Sequence, residues 1–321
     1  MGEFCRLVED EVKSILGKDV EIACGNMQKN NAVNHDAMLI TEADSNVTQG
    51  IVMDEFYSDY LRGLVSVENV ARTVASAYEN SRELKFDKLE DICSFDHARD
   101  KIVFKLINGG LNEKYLESVP HIRIFDLAIT FVCLLSLDGA TLSSMRITND
   151  HAKGWNVTVK ELFEAAEENT PRLLPYTLRT MSDVIREILC KRLGGSEADS
   201  GLLEALTAVE KDGEGEPFGC MYVLSNSFGV NGAASILCRG ADENVRERIG
   251  RDYMILPSSI HELILIPEPE EADLPNMRNM VREVNDAEVP DEDILSYDVY
   301  RAVDFMSEYE RIRQDLTGKC A

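Results

Sequence analysis

Two unbroken apolar runs, Tyr253 to Leu256 and Leu263 to Ile266, constrain this chain more than any other feature. Neither alternates with polar residues and both are short, so they read as strands covered on both faces. Pro257-Ser258-Ser259 supplies turn chemistry between them, and a hairpin is expected there. The neighbouring segments extend the pattern. Met221 to Leu224 reads as a short buried strand, Asn226 to Gly232 as a polar turn, and Ala233 to Ile249 as a helical region in two pieces. Pro275 takes a first helical position ahead of the stripe Met277, Met280, Val281 and Val284, and Leu295, Tyr297 and Val299 alternate as a last strand. The succession strand, helix, strand, strand, helix, strand is that of a ferredoxin-like unit.

Upstream the expected fold is a mixed α and β region, which makes the whole chain α+β. Helices are expected for Phe4 to Leu16 and for Val67 to Ser81, the second capped by Ser66. Val20 to Met27 and Ala37 to Thr41 form a hairpin across Asn30-Asn31, and Val47 to Met53 adds a strand. Ile102 to Ile107, Ile124 to Leu135 and Leu142 to Thr148 read as strands, although periodicity leaves the second open to a buried helix. Thr158-Val159-Lys160-Glu161 is a capping box opening a helix that Pro171 ends. The stretch from Gly194 to Gly219, rich in Gly, Ser, Glu and Asp, reads as a linker. It divides an N-terminal α+β domain over 1–193 from a C-terminal α+β domain over 220–302, with a helical tail over 303–321.

The chain carries 58 acidic against 33 basic residues, a formal charge of -25. Such a charge repels phosphate backbones and anionic lipid at long range, and no basic patch is segregated to offset it, so direct nucleic-acid and membrane binding are not expected. The apolar stretch around Leu127 to Leu135 is bounded by Asp126 and Asp138, far short of the ~20 residues of a membrane span. The opening Met-Gly-Glu-Phe-Cys-Arg lacks a signal-peptide pattern. The eight cysteines include no CxxC pair and read as buried thiols of a reducing compartment. A cytoplasmic location is expected, which makes the sequons at Asn46 and Asn156 accidental.

Candidate chemistry is sparse. Ser258, Ser259, His261 and Glu262 bring a hydroxyl, an imidazole and a carboxylate close in sequence, the ingredients of nucleophilic catalysis, with Asn149 and His151 as possible assistants from another strand end. Against this, His261 and Glu262 are neighbours on a strand and face opposite sides, and no nucleophile elbow surrounds either serine. The five histidines are scattered without HxH or HExxH spacing, so no metal is expected. Phe228-Gly229-Val230-Asn231-Gly232 lacks a nucleotide-binding pattern and reads as a tight turn, so no cofactor is expected either. Between Glu268 and Asp293 lie ten acidic residues and two arginines, Arg278 and Arg282. That stretch is either a solvated helix face with acidic loops or, more sharply, a docking surface for a basic partner or an imitation of a nucleic acid.

Several blocks together carry a resemblance: Gly50-Ile51-Val52-Met53 through Tyr60, Asp100 to Asn108, Glu168 to Pro175, Met221 to Leu224 with Asn231-Gly232-Ala233-Ala234, and Ile255 to Glu262. Through them the chain resembles an uncharacterised bacterial family, domain of unknown function 5688, over most of its length. The resemblance implies a cytoplasmic bacterial protein and brings no activity, ligand or catalytic residue with it. The reading favoured is a non-enzymatic interaction or regulatory protein with an acidic docking surface and a basic protein partner. The alternative is a hydrolase-like enzyme built on the 257–262 cluster.

Overall fold

The computed structural model describes residues 1–17, 19–42, 48–83, 94–138, 141–193 and 221–318. It is an α+β protein with three antiparallel sheets, and it divides into two compact units, Met1–Glu90 and Asp91–Ala321. The linker expected over 194–219 lies outside the described residues, as does the sequon at Asn46.

The first unit holds α1 (Gly2–Leu16), β1 (Val20–Gln28), β2 (Asn34–Glu42), β3 (Thr48–Val52), α2 (Asp54–Leu61) and α3 (Val67–Glu83). The strands pair in the order β1-β2-β3. Apolar residues spaced at helical intervals drive the packing: Phe4, Val8 and Val12 of α1 meet Val70 and Val74 of α3 and Ile22, Met38 and Ile40 of the sheet in one core. The Ser66 hydroxyl caps α3 by accepting from the Asn69 amide at 3.3 Å. The hairpin turns at Asn30–Ala32, where Asn31 and Ala32 both take φ 56°.

The second unit opens with α4 (Phe95–Ala98) and a sheet of β4 (Ile102–Asn108), β5 (His121–Ile124), β6 (Leu127–Asp138) and β7 (Thr141–Arg146). Its sheet order is β4-β6-β5, with β7 also on β6, and α5 (Glu113–Leu116) lies between β4 and β5 in sequence. The apolar run at 124–135 is strand rather than helix, but it is broken. Phe125, at φ 51°, and Asp126 turn the chain so that Ile124 pairs with Leu127. After α6 (Asn149–Trp155), α7 (Val159–Leu173) packs Leu162, Phe163 and Ala166 into the core beside Phe104 and Phe131. Its capping box is formed, with Thr158 N–H donating to Glu161 Oε2 at 2.8 Å. Pro171 does not end this helix, which continues to Leu173. So close to the C-terminus the proline disturbs only the last turn, and Leu173 and Leu174 are drawn against Val103 and Val132.

The last sheet has the order β12-β10-β11-β9-β8, built from β8 (Tyr176–Thr180), β9 (Tyr222–Asn226), β10 (Tyr253–Ser259), β11 (Glu262–Pro267) and β12 (Tyr300–Arg301). Between these strands lie α8 (Met181–Leu193), a 3-10 turn at Gly232–Leu237, α9 (Ala241–Ile249) and α10 (Leu274–Glu288); α11 (Ala302–Thr317) closes the described chain. Strand β8 was not expected, and it pairs with β9 across the interval that holds the expected linker. As the two apolar runs require, both faces are covered: Tyr253, Ile255, Leu263 and Leu265 join the main core, while Met254 and Leu256 pack under Val281 of α10 with Ile264 and Ile266 beside them.

Three expectations need correction. Pro257-Ser258-Ser259 is not the turn. Strand β10 runs through these residues over a bulge between Leu256 and Ser259, where a proline forfeits no ladder hydrogen bond, and the turn is Ile260-His261. Residues 295–299 are not a strand. Side chains capture the backbone instead: Asp298 N–H donates to Ser296 Oγ at 2.8 Å, Val299 N–H to Asp298 Oδ1 at 2.7 Å, and Asn285 Nδ2 to Ser296 O at 2.9 Å. The ferredoxin-like unit is not reproduced. Its fourth strand would lie beside its first, yet β12 lies beside β10, the second, and β8 already occupies the outer edge of β9. No helix among the described residues is long and apolar enough to cross a membrane.

Candidate functional site

Helix α10 begins with an Asp273 side chain that accepts from Asn276 N–H at 3.2 Å and with Pro275 in its first turn. Its apolar stripe divides between two directions. Val281 and Asn285 are buried, whereas Met280 is 51% and Val284 45% exposed, one helical turn apart on the outer side. These four residues join Met181 at the head of α8, Met221, Leu256, Ser258 and Ile264 around an apolar hollow of about 220 Å³.

Carboxylates are dense along this stretch of chain. Glu270, Glu271, Asp273, Glu283, Asp286, Glu288 and Asp291 are all exposed. The two arginines of the stretch are committed locally: Arg278 donates to Asp298, and the Arg282 guanidinium lies 4.4 Å from the Tyr297 ring centroid. Among the described residues Glu270, Glu271, Glu283 and Glu288 form no ion pair. Two acidic residues turn inward instead. Glu268 accepts from Arg301 at 2.7 Å, and Asp293 approaches the His261 ring.

The 257–262 cluster is tied into the fold by its own bonds. His261 Nδ1 accepts from Asn231 N–H at 3.2 Å, so the ring proton sits on Nε2, which faces Asp293 Oδ1 at 3.3 Å. Ser259 Oγ accepts from the His261 backbone N–H at 3.1 Å. Both imidazole nitrogens are therefore engaged, and neither bonds a serine hydroxyl. Ser258 lines the apolar hollow, and its carbonyl accepts from Leu295 N–H at 3.2 Å. Glu262 pairs with Ser259 across the hairpin. The end of β9 and the loop after it hold the turn, with Ser225 Oγ donating to His261 O at 2.7 Å and a bare Gly232 letting the backbones approach.

Asn149 and His151 lie in a different place. His151 caps α6 reciprocally with Thr148, Nδ1 accepting from Thr148 N–H and its own N–H donating to Thr148 Oγ1, both at 3.2 Å, and its ring stacks on Trp155. Asn149 donates to Glu117 O at 2.8 Å. Neither residue hydrogen-bonds to the 257–262 hairpin among the described residues. No group of three or more His, Cys, Asp or Glu there is arranged to hold a metal ion.

Lys105 escaped the sequence reading. It is the one charge within the apolar run Ile102 to Ile107, and register places it level with Thr130 of β6 and, beyond that, His121 of β5. Burial pushes its ammonium down to about 8, opposed by the attraction of Asp293 and reinforced by Arg146. A charge inside a strand that is otherwise apolar was the available signal.

No curated protein matches the chain, and no solved structure does. One family model does match, described as a family of unknown function, DUF5688, and it covers residues 1–301. With that coverage the match takes in both compact units, the hairpin and α10, and the chain belongs to the DUF5688 family.

Proposed function

We propose that this chain is a cytoplasmic, non-enzymatic binding module that docks a basic, amphipathic segment of another protein along α10. The observation that carries the reading is Met280 and Val284, exposed over an apolar hollow, together with the exposed Glu270, Glu271, Glu283 and Glu288, which form no ion pair among the described residues and which we take as its acidic rim. Large apolar side chains left in water cost free energy that a partner recovers by covering them, so the hollow supplies affinity through burial. The carboxylates supply long-range attraction and discriminate against acidic partners. Lysine or arginine side chains fit this rim because their alkyl stems lie on the apolar surface while their charges reach the carboxylates. Nucleic acid and anionic lipid are disfavoured by the same field.

A synthetic helical peptide of alternating Leu and Lys turns tests the reading against a control with Ala for Leu. The Leu peptide binds more tightly than the control, and its affinity falls as salt is raised through the screening range. Met280→Ser weakens it by roughly fivefold or more, about 1 kcal/mol, and the double variant Glu283→Lys, Glu288→Lys removes most of its salt dependence. Equal binding of both peptides, unaffected by either set of substitutions, refutes the assignment.

A further inference from the structure

Two expectations drawn from the sequence give way once the chain is folded. The thiols are not uniformly buried, since Cys24 and Cys190 are exposed, while Cys93, Cys220 and Cys320 lie outside the described residues. And a basic patch that no stretch of sequence contains is assembled by strand pairing in the second unit. Strand β6 carries β4 along one edge, with Ile102 level with Cys133 and Asn108 with Leu127, so β5 and β7 share its other edge. On that edge β5 sets His121 beside Thr130, and β7 takes over with Arg146 beside Val132. Thr130 and Val132 are two residues apart and share a face, so His121 and Arg146 stand on that face roughly 7 Å from each other along the edge. Lys105 flanks Thr130 from the β4 side, on the same face.

These three basic residues look away from α7, because the opposite face of the same strands carries Phe104 and Phe131, packed with Phe163. Arg146 is exposed and forms no ion pair or hydrogen bond among the described residues; its guanidinium lies 5.9 Å from the Tyr115 ring centroid. His121 donates from Nδ1 to Val119 O at 3.0 Å, and its Nε2 has no hydrogen bond among the described residues. Thr130, the short residue that the three surround, is buried and donates to Lys105 O at 3.1 Å. Lys105 is partly exposed. Burial weakens its hold on its proton, Asp293 opposes that, and the positive charge of Arg146 adds to it. Asp293 is itself turned to the His261 ring, Oδ1 lying 3.3 Å from Nε2. An anion placed between Lys105 and Arg146 would relieve both their mutual repulsion and the lack of a counter-charge at Arg146.

We infer that Lys105, His121 and Arg146 bind the phosphate group of a small molecule on this face of the sheet. The guanidinium fork pairs with two phosphate oxygens and the ammonium with a third, while His121 Nε2 donates once the ring takes a second proton, which a bound anion favours. The chain's overall charge of -25 sets the size of the ligand. It repels anions at long range, so the ligand gains only where its charge is confined to these close contacts, whereas a nucleic-acid strand carries further phosphates past them and over acidic surface. Arg123 stands on the same face, level with Ala128, but its guanidinium leans over Gly109 beyond the end of β4, away from the three. The site shares no residue with the hollow under α10 and does not depend on docking there.

The test titrates the full chain with inorganic phosphate at pH 7 in a calorimeter, ionic strength being held constant with sodium chloride. Saturable binding of one phosphate is expected, and the nitrogen resonances of the His121 ring should move towards those of imidazolium with the same midpoint. Arg146→Gln and Lys105→Met should each weaken binding by about tenfold or more, the loss of a charge-assisted hydrogen bond. Arg123→Gln removes a charge from the same face without touching the site and should change the affinity by less than about twofold; Met280→Ser should leave it unaltered. Absence of saturable binding overturns the assignment, as does an affinity unchanged in Arg146→Gln or lowered as much by Arg123→Gln. A short single-stranded oligonucleotide that binds more tightly than phosphate, and loses its binding in Arg146→Gln, overturns the small-molecule class. Arg146 is exposed and forms no hydrogen bond among the described residues, so its variant keeps the fold and decides the matter should Lys105→Met fail to fold.

Discussion

Replacing Lys105 with methionine should stabilise the second unit. Methionine keeps the unbranched length of the lysine stem and removes the charge. The ammonium falls from its usual 10.5 to about 8 in the folded chain because burial outweighs the attraction of Asp293. Each unit of such a shift corresponds to about 1.4 kcal/mol, so holding Lys105 charged costs the folded state about 3 kcal/mol at pH 7. Above pH 8 the folded chain releases this proton while the unfolded chain still binds it, so the unaltered protein gains stability as pH rises from 8 towards 10.5. The advantage of Lys105→Met is accordingly about 3 kcal/mol at pH 7 and roughly half that at pH 9.5. Trp155, the only tryptophan, packs against the main core of the second unit, so its emission during urea denaturation reports that unit. A loss of stability in Lys105→Met at pH 7 refutes the reasoning, because it means that pairing with Asp293 outweighs desolvation.

Three further outcomes follow from named contacts. Tyr300→Phe, which removes the hydroxyl that donates to Asp126 and lies 3.1 Å from Ser296 Oγ, should cost about 1–3 kcal/mol in the same urea assay. Gly232→Ala places a Cβ 2.3 Å from His261 O and 2.8 Å from Asn226 N, both backbone atoms, and should lower the stability of the second unit by about 2 kcal/mol or more. Thr158→Ala opens the capping box of α7 and should cost about 1 kcal/mol, whereas Thr158→Ser should be nearly neutral.

What was legible in the sequence and what was not divides along the range of the interactions. The helices α1 and α3, the second with its Ser66 cap, the Asn30-Asn31 hairpin, the Thr158 capping box and the doubly covered strands β10 and β11 are set by residues within a few positions of one another, and they were read from those residues. The break at Phe125-Asp126 was not. Asp126 is held by Ser296 Oγ at 2.6 Å and by the Tyr300 hydroxyl, and Phe125 packs on Tyr300 and Phe305, so the turn depends on groups distant along the chain. Those same bonds, with Asn108 Nδ2 donating to Leu295 O at 3.0 Å, hold 295–299 out of a ladder despite its alternating pattern. The acidic character of 268–293 was visible in composition. The hollow was not, because Met181, Met221, Leu256 and Ile264 come from separate elements, and the stripe of α10 gave no sign that Met280 and Val284 would face outward while Val281 faced in.

Hydrogen exchange with and without the Leu-Lys peptide tests the docking claim most directly, because it locates the contact without assuming it. The account predicts slowed exchange over α10, residues 274–288, and over the β10–β11 strands beneath it, with α6 and the first unit unchanged. Protection that falls on other elements while α10 exchanges as before would contradict it.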